Sequence, residues 1–128
     1  MEKRQLKSKN NLKLRSYKFC LDSIDFLENL SKNYIYQVIG KQLLRSATSI
    51  ATRIIEAQRC SSKKDFINFF PISLKSSNET KFCLSLLNEK LKDQKAKEKA
   101  KELLNEATEI SKMLAASLLT LKGKRFCF

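Results

Sequence analysis

The sequence predicts an all-α protein, an antiparallel four-helix bundle with short connections, and three observations carry that reading. Only two glycines and one proline occur in 128 residues, too few for the turns of a sheet protein, since turns draw on those residue types. Apolar residues recur at spacings of three and four through four long stretches, the period of a helix packed on one side. The polar breaks between these stretches are short, which makes consecutive helices antiparallel neighbours. At this length one domain is expected.

The first dozen residues, MEKRQLKSKNNL, show no sustained period, so residues 1–13 are expected as a basic flexible arm ahead of a bundle spanning 14–122. The first helix is predicted from about Leu14 to Leu30, with Leu14, Tyr17, Leu21, Ile24 and Leu27 as its apolar positions. Lys18 and Asp22, four apart, are placed to pair. Ser31 to Asn33 form the break, and the second helix is expected from about Ile35 to Arg59. Here Leu43, Leu44, Ala47, Ile50, Ala51, Ile54, Ile55 and Ala57 fill one arc of roughly 160°, wide enough to meet two or more neighbours. This is the expected central helix.

Ser61 and Ser62 are candidate N-caps for a third helix of about Ser62 to Glu89, Ser62 forming a variant capping box with Asp65. Phe66, Ile67, Phe69, Phe70, Ile72 and Leu74 give it a dense apolar opening, Pro71 is expected to kink it, and Lys75 to Lys81 looks like poor core material. Asn88 to Gln94 reads as a turn. The last helix, about Lys95 to Leu121, has Ala100, Leu103, Ala107, Ile110, Leu114, Leu118 and Leu121 on its apolar face, leaving residues 123–128 as a basic and aromatic tail.

Charge is concentrated at the ends. Of the net +13, residues 1–18 hold seven basic residues against one acid, and residues 122–128 hold three against none. Basic arms of this kind contact polyanions. The candidate nucleic-acid contacts are Lys3, Arg4, Lys7, Lys9, Lys13 and Arg15 at one terminus and Lys122, Lys124 and Arg125 at the other. Arg45, Arg53 and Arg59 add a candidate phosphate face on the second helix, with ion pairing of Arg53 and Arg59 to Glu56 as the plain alternative.

Other classes are disfavoured. Without histidine or a glycine-rich loop there is no general base of the usual kind and no nucleotide cradle, so no catalytic residue and no cofactor is expected. Cys20, Cys60, Cys83 and Cys127 lie too far apart for a zinc site, so no metal is expected, and they read as reduced thiols of a cytoplasmic protein. Uncharged runs reach nine residues, about half a membrane span, so no membrane association is expected. A protein-interaction scaffold that binds no nucleic acid is the alternative function.

The segment QLLRSATSIATRIIEAQRCSSKKDFINFF resembles the bacterial four-helix bundle family encoded by intervening sequences of large-subunit ribosomal RNA genes. Gln42, Leu43, Arg45, Ser49, Ile50, Ile54 and Glu56 match its first motif, and Ser62, Asp65, Phe66, Ile67 and Phe69 its second. Ser76 and Glu79 fall where the family has a small residue and a glutamate. Arg53, Ile55, Ala57 and Pro71 depart from the pattern, and Ser77 and Thr80 stand where core leucines are common. The resemblance implies assembly into a ring, a homopentamer by expectation, with RNA or DNA as ligand. It also implies kinship with accessory proteins of diversity-generating retroelements, and hence a reverse transcriptase as partner.

Overall fold

A computed structural model describes residues 2–59 and 63–126, with side chains described for residues 12–59, 64 and 67–120. Its elements are four helices: α1 (Glu2–Glu28), α2 (Tyr34–Arg59), α3 (Lys63–Lys90) and α4 (Gln94–Phe126). Each helix packs on its two neighbours around the bundle, α1 on α2 and α4, and α3 on α2 and α4, while among the described residues the backbones of α1 and α3 lie diagonally across the core and do not approach closely. Cross-helix pairs run in opposing order: Cys20 meets Ala47 where Leu27 meets Gly40, and Ser46 meets Thr80 where Ser49 meets Ser76. All neighbours are antiparallel.

Local chemistry sets the helix starts. Asn33 caps α2, its Oδ1 accepting from the Ile35 amide at 2.8 Å. Asp93 caps α4, its Oδ2 accepting from the Ala96 amide at 3.0 Å. Each occupies an amide that the helix itself leaves without a partner. The Tyr36 hydroxyl donates to the Lys90 carbonyl at 2.9 Å, tying the start of α2 to the end of α3. The expected caps Ser61 and Ser62 lie outside the described residues.

Boundaries differ from expectation at both termini. Residues 2–13, set aside from the sequence as an arm, continue α1, and α4 runs to Phe126 through most of the expected tail. No glycine or proline interrupts residues 2–28, and Leu12 is buried, so the helix has both local permission and an anchor there. Pro71 lies inside an uninterrupted α3 with its ring exposed.

The face of α1 is the larger correction. Leu14, Tyr17, Leu21 and Ile24 point outward, 64%, 58%, 46% and 38% exposed. The buried face is Leu12, Ser16, Phe19, Cys20, Ser23 and Phe26 instead. Ser16 and Ser23 donate to the carbonyls of Leu12 and Phe19, one turn back, at 2.8 Å each, which lets a hydroxyl sit in an apolar core.

The Lys75 to Lys81 stretch also reaches the core, contrary to its composition, through Ser76, Ser77 and Thr80, while Lys75, Asn78 and Glu79 are exposed. Thr80 donates to Ser46 Oγ at 2.7 Å, and Ser46 donates to the Leu43 carbonyl at 3.1 Å. Ser76 donates to Ser49 Oγ at 2.8 Å and Ser73 to the Ile50 carbonyl at 3.1 Å. Ser111 of α4 donates to Ser77 Oγ at 2.7 Å, which donates to the Leu74 carbonyl at 2.7 Å. These small hydroxyl side chains form a seam across α2, α3 and α4. Around it Phe19, Leu43, Ile50, Leu84, Leu87, Ile110 and Leu114 fill the interior.

Two outcomes test this packing. Thr80→Leu should destabilise the fold by about 1–3 kcal/mol in urea unfolding, because a larger side chain would enter a fully buried position and Ser46 loses a partner. Pro71→Ala should stabilise it by about 1–3 kcal/mol, since an exposed interior proline only removes the backbone bond to Ile67.

Candidate nucleic-acid interface

The antiparallel order brings distant segments of sequence to one end of the bundle. The start of α1, the end of α2, the start of α3 and the end of α4 share that end. Residues 2–13, 59, 63–65 and 120–126 carry eleven Lys and Arg against two acids. At the opposite end, residues 28–34 and 88–95 carry four against three. The bundle therefore has one strongly basic pole, at which positive potential accumulates.

The predicted residues fall into three groups. Lys3, Arg4, Lys7 and Lys9 on α1 and Lys122, Lys124 and Arg125 on α4 are at the basic pole by backbone position, their side chains outside the described set. Lys13 is exposed one turn further in, and Arg59 is exposed in the last turn of α2. Lys63 and Lys64, which sequence reasoning did not single out, open α3 at the same end. Their signal was the helix break itself: charge flanking a turn shares the pole that the turn occupies.

The remaining arginines stand elsewhere. Arg15 is half-buried between α1 and α4, where Nη2 and Nε donate to Glu106 at 2.6 and 3.0 Å. The accepting carboxylate raises the arginine pKa above its ordinary value against the opposing effect of burial. The sign is plain: a raised arginine pKa contributes below the unfolded value and is lost only as pH rises through the folded one, so the clip is constant across ordinary pH. Arg53 donates to Glu56 through Nη1 at 3.0 and 3.2 Å, so that member of the alternative pairing is present. Its Nε is buried without a hydrogen-bond partner. Arg45 is exposed on the outer side of α2, mid-bundle and away from the pole.

Other sites do not compete for a polyanion. A cleft of about 530 Å³ between α1 and α4 is lined by Asp22, Asp25, Asp93, Glu102 and Glu106 as well as Lys18, Lys95 and Lys99. Its acids disfavour phosphate. Lys18 is paired with Asp22 at 3.1 Å. Among the described residues no cluster of His, Cys, Asp or Glu could hold a metal ion, and no helix is long and apolar enough to cross a membrane. Cys20 is buried with its thiol 3.3 Å from the Ala47 carbonyl, and burial pushes its pKa up. Burial, then the charge of Glu79, does the same to the partly exposed Cys83.

These features define a class: a basic four-helix bundle whose charge is gathered at one end. The chain belongs to the family of 23S rRNA-intervening sequence proteins, whose model matches residues 8–116. It is similar to a crystal structure of a protein of unknown function from the S23 ribosomal protein family of Bacteroides thetaiotaomicron. That likeness has a TM-score of 0.75 at 36% identity, covering 87% of this chain and 97% of that one. Comparison with the curated proteins finds no match.

Arg15→Ala should lower stability by at most about 1 kcal/mol, with most of the loss absent in a Glu106→Ala background, because the pair is about a third exposed. Alkylation mapped by mass spectrometry at pH 8 should reach Cys83 before Cys20, which should react only on unfolding.

Proposed function

We propose that this protein is a non-catalytic, basic homo-oligomer that binds structured RNA, alone or in complex with a reverse transcriptase, through phosphate contacts at the basic pole. The observation that carries the proposal is the convergence of both basic termini and the α2–α3 junction on one end of the fold. Phosphate neutralisation by Lys and Arg dominates non-specific affinity and needs no base-edge contact. Shape and charge select the ligand. Assembly into a ring, with five copies as the number the family resemblance implies, multiplies the pole and compounds a weak contact into a firm one.

The scaffold reading is favoured by a different observation, the outward apolar stripe of α1. It expects assembly without RNA affinity. Salt titration separates the two readings. A footprint of about five phosphate contacts gives a log–log slope near −4, each contact adding about −0.9 on duplex scaling. Replacing Lys3, Arg4, Lys7 and Lys9 by glutamine should flatten the slope and weaken binding to all RNA sequences alike, with helix content unchanged. Binding that is absent at about 0.15 M salt, or unaltered in the variant, would count against the pole.

A further inference from the structure

Helix α2 turns an acid-free line of polar and cationic side chains away from the core. Tyr34, Lys41, Arg45, Thr48, Thr52 and Arg59 are all exposed. At 100° per residue they share an arc of about 60°, opposite the buried one. Glu56 is the only acid in α2, and Arg53 holds it at 3.0 and 3.2 Å. Lys41, Arg45 and Arg59 have no ion pair among the described residues. The outer faces of the other helices mix signs, with exposed Asp25 and Glu28 on α1, Glu79 and Glu89 on α3, and Glu98 and Glu109 on α4.

The line starts at the basic pole. Arg59 lies in the last turn of α2, at the end where Lys63 and Lys64 open α3, and Tyr34 lies about 37 Å away along the helix axis. Between the cations, Thr48 and Thr52 donate to the Leu44 and Thr48 carbonyls at 2.9 and 2.8 Å. These short side chains therefore lie against their own helix and leave the path open. The Tyr34 ring is 79% exposed, whereas Tyr36, two residues on, is tied to the Lys90 carbonyl.

A cationic line that ends on a free aromatic ring suits one class of polyanion. In single-stranded nucleic acid the phosphates meet the cations and an unpaired base stacks on the ring. A duplex keeps its bases stacked inside and has no free base face to offer Tyr34.

We infer that the outward face of α2 is a track for an unpaired stretch of RNA continuing from the structured part held at the basic pole. The inference rests on the RNA-binding reading proposed above and extends the pole rather than competing with it. Paired RNA stays at the pole, and only an unpaired extension reaches Arg45, Lys41 and Tyr34. Arg53 serves the track indirectly, by neutralising the one carboxylate beside it. An acidic polypeptide would be drawn to the same cations, but continuity with the pole and the unengaged ring favour a nucleic-acid strand.

The test compares two RNAs on the full-length protein: a blunt hairpin, and the same hairpin with an unpaired extension of about ten nucleotides. By fluorescence anisotropy the extended RNA should bind more tightly. Its log–log salt slope should be steeper by about 2, since three cations each contribute about 0.7 on single-strand scaling. Lys41→Gln combined with Arg45→Gln should remove most of that added slope, and Lys41→Arg combined with Arg45→Lys should keep it. Tyr34→Ala should lose at least about fivefold in affinity for the extended RNA with the slope unchanged. Every variant alters exposed side chains, so helix content by circular dichroism and affinity for the blunt hairpin should match wild type.

Three results would overturn the track while leaving the pole standing: an extension that adds neither affinity nor slope, a Tyr34→Ala protein indistinguishable from wild type, or variants that weaken the blunt hairpin as much as the extended one. A polyglutamate peptide that binds more tightly than the unpaired strand alone would also overturn it, by making α2 a site for an acidic protein. Absence of binding to either RNA at about 0.15 M salt would count against the RNA reading itself, and the track would fall with it.

Discussion

The close packing of α2 on α3 through small hydroxyl side chains is the constraint on which the rest of the structure depends. Ser46, Ser49, Ser73, Ser76 and Thr80 hold the two helices together by hydrogen bonds that stay satisfied out of water. Each such bond contributes only about 1 kcal/mol net, but a buried hydroxyl left without its partner costs as much or more. Register between α2 and α3 is therefore specified one turn at a time, as a uniformly aliphatic seam would not specify it. Ser111 and Ser77 extend the same chemistry to α4. Gly40 serves a similar end on α1: a Cβ there would stand 2.7 Å from Leu27 Cδ2. These close approaches set the heights at which the outer faces meet solvent.

The helix count, the order of the helices and the face of α4 were legible in the sequence, because a sustained three–four period of Ala, Leu and Ile has one structural solution. The second helix was legible too: Leu43, Ala47, Ile50, Ala51, Ile54 and Ala57 are buried on one arc. The buried side of α1 was not. That helix carries two stripes at helical spacing, and the more hydrophobic one is outside. Hydrophobicity alone ranks Leu14, Tyr17, Leu21 and Ile24 above a stripe containing Ser16, Cys20 and Ser23. Hydroxyls that bond back to their own helix, and a thiol that reaches Ala47, remove the cost that the ranking assumes. The Lys75 to Lys81 stretch misled for the same reason.

The candidate interface was legible residue by residue but not as a site. Basic termini were visible as runs of Lys and Arg, whereas their meeting at one end depends on the even number of antiparallel helices between them. Arg15 shows the opposite limit. Its position in a basic run marked it as a phosphate contact, yet Glu106, 91 residues away, clips it between α1 and α4. A charge pattern along the chain says nothing about partners supplied by another helix.

Membership of the 23S rRNA-intervening sequence protein family and the basic pole together make RNA the ligand class that the proposed function names. The most direct measurement is photocrosslinking of a bound, structured RNA followed by mapping of the crosslinked peptides. The opposite end of the bundle supplies an internal control, since Lys32, Lys90, Lys92 and Lys95 stand there among Glu28, Glu89 and Asp93. The account predicts crosslinks confined to peptides from residues 2–13, 59–65 and 120–126. Crosslinks concentrated on the peptides around Lys32 and Lys90 to Lys95, or spread evenly over both ends, would contradict it.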